Sequence, residues 1–191
     1  MIVYLHGFNS SPQSHKAQLM RRYLAERGLA DQFACPALPV SADAALAEVE
    51  ALMARRPDVP HCFIGSSLGG FYATWLVEHH PASKAVLINP AIDPHLGLRA
   101  YLGPQKNLYS GEAYELTEAH LRQWERRYVE RVTPARYLLI VETGDEVLDY
   151  RRAVTRYAGA EQLVVEGGDH TLASFPRHLP RILEFCRAHP V

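Results

Sequence analysis

The sequence predicts an α/β fold with about six mostly parallel strands and helices on both faces. Three observations predict it: short, fully apolar runs, helical stripes between them, and turn signals at the junctions. The clearest runs are Ile2 to Leu5, the stretch entering Gly65 from His61, Ala85 to Ile88, and Tyr137 to Val141. Strands buried on both faces read as continuous apolar stretches, and their alternation with helices implies right-handed parallel crossovers. The 191 residues, 48% of them hydrophobic, suit one domain with a single core, spanning 1–191.

Taken in order, Ile2 to Leu5 ends in His6-Gly7 and the irregular loop Phe8-Asn9-Ser10-Ser11-Pro12. Leu19, Met20, Tyr23 and Leu24 share a helical face, and Gly28 stands where that helix should stop. Gln32 to Pro36 is a weak strand candidate; Ser41 is an N-cap for a helix that buries Leu46, Val49, Leu52 and Met53. Pro57 and Pro60 end it, and the strand into Gly65 follows. Leu68, Phe71, Tyr72, Trp75 and Leu76 then form a helical stripe, and Lys84 to Asn89 gives the fourth strand. From Ala91 to Thr133 the alternation breaks into turn signals and aromatic residues, which reads as a small lid, an insertion over the carboxyl edge of the sheet. Most of its aromatics should pack it onto the body, while one or two, Trp124 among them, are expected to line a pocket and influence what it accepts. Tyr137 to Val141 resumes the sheet, Asp149 caps a helix facing inward through Tyr150, Ala153, Val154 and Tyr157, and Gln162 to Val165 is the last strand. A closing helix carries Leu179, Ile182, Leu183 and Cys186. Numbered along the chain, the six strands should lie in the order 2-1-3-4-5-6.

The strongest chemical signal is Gly65-Ser66-Ser67-Leu68-Gly69 between a strand and a helix. A G-x-S-x-G turn at that place is a nucleophile elbow, which lifts the serine hydroxyl above the sheet edge. Serine is a weak nucleophile at neutral pH and needs an adjacent base, usually a histidine oriented by a carboxylate. Asp145 follows the fifth strand and His170 the sixth, so both lie in loops at strand carboxyl ends, as Ser67 does. The order Ser67, Asp145, His170 is that of an α/β-hydrolase fold. Glu146, the neighbour of Asp145, is expected to face away, and Asp149 is explained as a cap. Among the other histidines, His79 and His80 sit near a helix C-terminus, and His6 is expected to bond loop backbone. His15, His61, His95, His120, His178 and His189 have no positional argument. The backbone N–H groups of Leu68 and Phe8 are the expected oxyanion donors.

The net charge of −1 and the absence of a block of like charge favour a small or neutral substrate over nucleic acid. No apolar run is long enough to span a bilayer, so membrane insertion is not expected. Cys35, Cys62 and Cys186, odd in number and set among apolar residues, read as buried thiols rather than a disulfide framework, which favours a reducing, cytoplasmic setting. HExxH, paired CxxC, a phosphate loop with its lysine and GxGxxG are all missing, so neither a metal nor a nucleotide cofactor is expected.

The blocks His6-Gly7-Phe8-Asn9-Ser10-Ser11-Pro12, Gly65-Ser66-Ser67-Leu68-Gly69-Gly70, Thr143-Gly144-Asp145-Glu146 and Glu166-Gly167-Gly168-Asp169-His170 resemble the YqiA-like bacterial esterases. The resemblance runs over nearly the whole chain. It implies hydrolysis of carboxylic esters and acyl-CoA thioesters, with Ser67 as nucleophile, His170 as base and Asp145 as acid. The chain departs from the family pattern at Asp169, where Asn is more familiar, and at Leu172, where Phe is. The same constellation would also serve amide or carbon–carbon bond cleavage, and the same fold would serve a binding module without turnover.

Overall fold

A computed structural model describes residues 1–187. Its eight strands are β1 (Ile2–Leu5), β2 (Phe33–Ala34), β3 (Cys62–Ser66), β4 (Lys84–Ile88), β5 (Gly103–Lys106), β6 (Ala113–Leu116), β7 (Tyr137–Glu142) and β8 (Glu161–Val165). The helices are α1 (His15–Ala25), α2 (Ala42–Ala54), α3 (Leu68–His79), α4 (Pro94–Gly97), α5 (Glu118–Arg126), α6 (Tyr150–Arg156) and α7 (Phe175–Arg187). Six strands form one sheet in the order β2-β1-β3-β4-β7-β8, every pair parallel, as the sequence leads one to expect. The weak second strand shrinks to two residues after a 3₁₀ turn at Ala30–Gln32.

The period of two along each strand divides the core. Val3, Leu5, Phe63, Ala85, Leu87, Leu139 and Val141 face α2, α3, α5 and α6, whereas Ile2, Tyr4, Ile64, Val86, Ile88, Leu138 and Ile140 face α1 and α7. Ser41 caps α2 by accepting the Ala44 N–H, and Asp149 caps α6 by accepting that of Arg151.

Three expectations are corrected. Cys62 and Cys186 are joined in a disulfide, with Cα atoms 5.3 Å apart. Cys62 begins β3 on the α7 side of the sheet, and α7 brings Cys186 to it across a separation of 124 residues, an approach that no local pattern announces. Only Cys35 is a free thiol, and burial pushes its pKa up to about 12. The argument from free thiols to a reducing compartment therefore falls. No helix among the described residues is long and apolar enough to cross a membrane.

The stretch between β4 and β7 contains an antiparallel hairpin, β5 with β6, that the turn signals had concealed. Its strands have only four residues each, one of them Pro104, and Gly103, which begins β5, and Gly111, between the strands, take φ values of 107° and 73°. The hairpin seats on the loop after β1: Leu108 N–H donates to Asn9 O (3.1 Å), Asn107 Nδ2 to Ser10 O (3.0 Å) and Tyr114 OH to Asn9 Oδ1 (2.6 Å).

Trp124, expected to influence the acyl site, is instead core. It is fully buried and its Nε1–H donates to Tyr72 OH at 2.8 Å, locking α5 onto α3. Trp124→Ala should lower the unfolding free energy by about 3–5 kcal/mol in urea titrations, the range for emptying a large aromatic site. Trp124→Phe should recover part of that loss, leaving the Tyr72 hydroxyl without its donor.

Candidate active site

Ser67 joins the end of β3 to the start of α3 with φ 53° and ψ −121°, a conformation that costs a non-glycine residue about 1–3 kcal/mol. Its backbone is fixed on both sides: the N–H donates to Ile88 O (3.0 Å), and the carbonyl accepts from Gly70 (2.9 Å) and Ala91 (3.0 Å). A Cβ on Gly65 would strike the Gly69 carbonyl, and one on Gly69 would strike the Leu5 carbonyl, so both glycines of the motif are sterically required.

Ser67, His170 and Asp145, far apart in sequence, meet at the carboxyl edge of the sheet. Ser67 Oγ lies 3.1 Å from His170 Nε2, while His170 Nδ1 lies 2.8 and 3.0 Å from the two oxygens of Asp145. A carboxylate only accepts, so Nδ1 carries the proton and Nε2 of the neutral ring turns its lone pair to the hydroxyl. The Asp145 side chain is 1% exposed. Burial alone would raise its pKa, but the His170 hydrogen bond and the N–H groups of Leu148 and Val147 outweigh that and hold it below the ordinary value. This chain of contacts can take a proton from Oγ as the oxygen attacks an electrophile.

Glu142 and Asn89, to which the sequence reading gave no role, and Glu146, which it expected to face away, hold the His170 loop. Glu142, the last residue of β7, is 1% exposed, and its carboxylate accepts the N–H groups of Asp169 (2.8 Å), Ala173 (3.1 Å) and Ser174 (2.8 Å). Asn89 Nδ2 donates to the carbonyls of Asp169 and His170, and Asn89 Oδ1 accepts the Glu142 N–H. Glu146 does not face away: its Oε2 accepts the His170 N–H at 2.9 Å. The only signal in the sequence was a charged residue closing an apolar strand. Asp169, one of the two departures from the family pattern, turns Oδ1 to the Thr171 N–H and hydroxyl. Leu172, the other, is buried with φ 57°.

His6 is buried, and the Leu38 N–H donates to its Nε2 (3.1 Å), so the ring proton sits on Nδ1 and donates to Gly7 O (3.1 Å). Burial lowers its pKa and keeps the ring neutral. In a trans peptide the C=O and N–H point oppositely, so a Gly7 carbonyl fixed on His6 turns the Phe8 N–H the other way. Neither that N–H nor the one of Leu68, first residue of α3, donates within the protein among the described residues. Two cavities, of about 580 and 510 Å³, open beside Ser67, and both are walled by Phe8, Asn9, Leu108 and His170. No cluster of three His, Cys, Asp or Glu among the described residues could hold a metal ion. His189 lies outside the described residues.

The model of the uncharacterised protein family UPF0227 matches residues 1–187. The structure is similar to alpha/beta hydrolase domain-containing protein 10 from mouse, at 16% identity and TM-score 0.73 over 96% of this chain and 87% of that one. It is similar to one of the metagenome-derived lipolytic enzymes LipS and LipT, at 20% identity and TM-score 0.71 over 98% and 93%. Est1E from Butyrivibrio proteoclasticus, solved with ferulic acid, matches at 14% identity and TM-score 0.68 over 96% and 86%. These likenesses establish an α/β-hydrolase fold.

Glu142 yields a test of the loop clamp. Its pKa would be raised by burial, but hydrogen bonds from Ser174, Asp169 and Ala173 bring it below the ordinary 4.5. A depressed folded pKa means stabilisation that is complete above the unfolded value and is lost as pH falls from 4.5 toward the folded value. Glu142→Gln should therefore cost about 1–3 kcal/mol at neutral pH, from unmade bonds to buried N–H groups, and should flatten the acid limb of stability against pH in urea titrations.

Proposed function

The chain belongs to UPF0227, the YqiA-like family, and from that premise we propose that it is a serine hydrolase of carboxylic esters and acyl-CoA thioesters. The reading is carried by one observation, the continuous contact from Ser67 Oγ through the His170 ring to the buried Asp145 carboxylate. Ser67 Oγ attacks the acyl carbonyl while its proton passes to His170 Nε2, and Asp145 stabilises the imidazolium that forms. The Phe8 and Leu68 N–H groups stabilise the carbonyl oxygen as it becomes negative. Collapse of the tetrahedral intermediate breaks the bond to the leaving alcohol or thiol, which takes the proton from Nε2. Water, deprotonated by the same nitrogen, then attacks the Ser67 acyl ester and releases the acid.

The relatives are consistent with such a substrate. Ferulic acid, bound to Est1E, is a carboxylic acid, and LipS and LipT are described as lipolytic. The insertion between β4 and β7 serves as a lid whose Leu108 and Tyr101 border the acyl site.

A chain-length series of p-nitrophenyl esters and acyl-CoAs, run with the wild type and Ser67→Ala, tests the reading. Turnover by the wild type should fall by about 10³-fold or more in the variant, as for loss of a serine nucleophile elsewhere. Equal rates in the two proteins would remove the chemistry from Ser67.

A further inference from the structure

We propose that the first turn of α1 is an anion subsite of the same active site, so that the substrate carries a carboxylate or phosphate on its leaving-group arm and an apolar acyl chain on the other. The inference rests on the serine-hydrolase reading above. Its starting point is the difference between the two cavities that flank Ser67 and His170. The smaller, about 510 Å³, is walled by Pro90, Ala91, Ile92, Leu98 and Leu148, and its Asp93 and Arg152 are paired with each other. The larger, about 580 Å³, contains the start of α1, with Ser14, His15 and Lys16 in its wall.

α1 has eleven residues, and Ser14 occupies its N-cap position. A serine there ordinarily accepts an N–H from the first turn. Ser14 makes no such bond: the residue is 9% exposed, and its buried Oγ has no hydrogen-bond partner among the described residues. No acidic side chain occupies the first turn, and the N–H groups of His15, Lys16 and Ala17 donate to nothing within the described residues. A buried hydroxyl and three orphan amides at the positive end of a helix suit an anion that brings several oxygens.

Lys16 supplies the charge. Its Nζ donates one proton to Thr171 O at 2.5 Å, and the other two have no partner among the described residues. Burial lowers its pKa to about 8, against the pull of Asp169, Glu142 and Asp145, so a bound anion would strengthen its charged form. Those carboxylates are engaged elsewhere: Asp145 with His170, Val147 and Leu148, Glu142 with the N–H groups of the His170 loop, and Asp169 with Thr171. The Lys16 ammonium is thus the cation that this wall offers, beside carboxylates whose oxygens are already hydrogen-bonded within the protein. The leaving atom must receive its proton from His170 Nε2, and the loop continuing from His170 through Thr171, Leu172 and Ala173 walls this same cavity. That assigns the anion to the leaving-group arm.

The test compares kcat/KM for phenyl butyrate, 4-carboxyphenyl butyrate and 4-(phosphonooxy)phenyl butyrate in the wild type, Lys16→Met and Ser14→Ala. Lys16→Met should reduce kcat/KM for the charged esters about tenfold more than for phenyl butyrate, the scale of one hydrogen bond to a charged group. Using this ratio cancels any loss that Lys16→Met causes by loosening Thr171. Ser14→Ala, which removes only a hydroxyl, should shift the ratio in the same direction and serves if Lys16→Met fails to fold. A larger loss for the phosphate than for the carboxylate would identify the phosphate as the preferred anion. Equal losses on all three esters would overturn the subsite and leave the hydrolase reading intact. Phenyl butyrate hydrolysis that survives Ser67→Ala would overturn that reading and the subsite with it.

Discussion

Ser67 can hold its left-handed backbone only because the strands on either side of β3 are already fixed. Its N–H is taken by the end of β4, its carbonyl by Gly70 and Ala91, and Gly69 packs against the carbonyl at the end of β1. The elbow therefore depends on the parallel pairing of β1 with β3 and of β3 with β4, and the strain there is borne by a sheet whose central strands are buried on both faces. The non-glycine residues with positive φ among the described residues are Asn9, Ser67, Asn89 and Leu172, and all four lie in or next to the loops that surround Ser67. The backbone departs from relaxed geometry where the site is built.

The other half of the site is held by polar groups rather than by pairing. The loop bearing His170 leaves the edge strand β8, so no strand on its far side can fix it. Glu142 and Asn89, from the ends of β7 and β4, perform that task with buried hydrogen bonds to both the N–H and the carbonyl groups of the loop. A buried carboxylate is tolerable when several donors meet it, because leaving those donors unpaired would cost more than burying the charge. The contact between Asn89 Oδ1 and the Glu142 N–H makes the two residues one unit.

How much was legible in the sequence follows the same division. β1, β3, β4 and β7 are buried on both faces, which leaves an unbroken apolar run that needs no partner to be recognised. The elbow was legible because its steric demands fall on three positions of one pentapeptide. The Cys62–Cys186 bond, the Glu142 clamp and the Trp124 to Tyr72 contact were not, since each joins residues between 27 and 124 positions apart through geometry that the whole fold creates. The β5–β6 hairpin failed for a local reason: with four-residue strands and a proline in one, its alternation was too short to rise above the turn residues around it. Glu146 was misjudged because its partner, the His170 N–H, lies 24 positions away on another loop, where strand periodicity says nothing of it.

The hairpin also ties recognition to the proposed chemistry. Through Leu108, Asn107, Gln105 and Tyr114 it grips Asn9 and Ser10, the residues that follow Phe8. From the other side, His6 fixes the carbonyl of Gly7, so the peptide carrying the Phe8 N–H is restrained at both ends. Leu108 at the hairpin's turn borders both cavities. A change of hairpin length or sequence that reshaped either cavity would therefore be felt at Phe8, one peptide away from its anchor. In the proposed chemistry, substrate choice and stabilisation of the oxyanion would share a single strut, and altering one without the other would require substitutions on the cavity walls that do not reach Asn9.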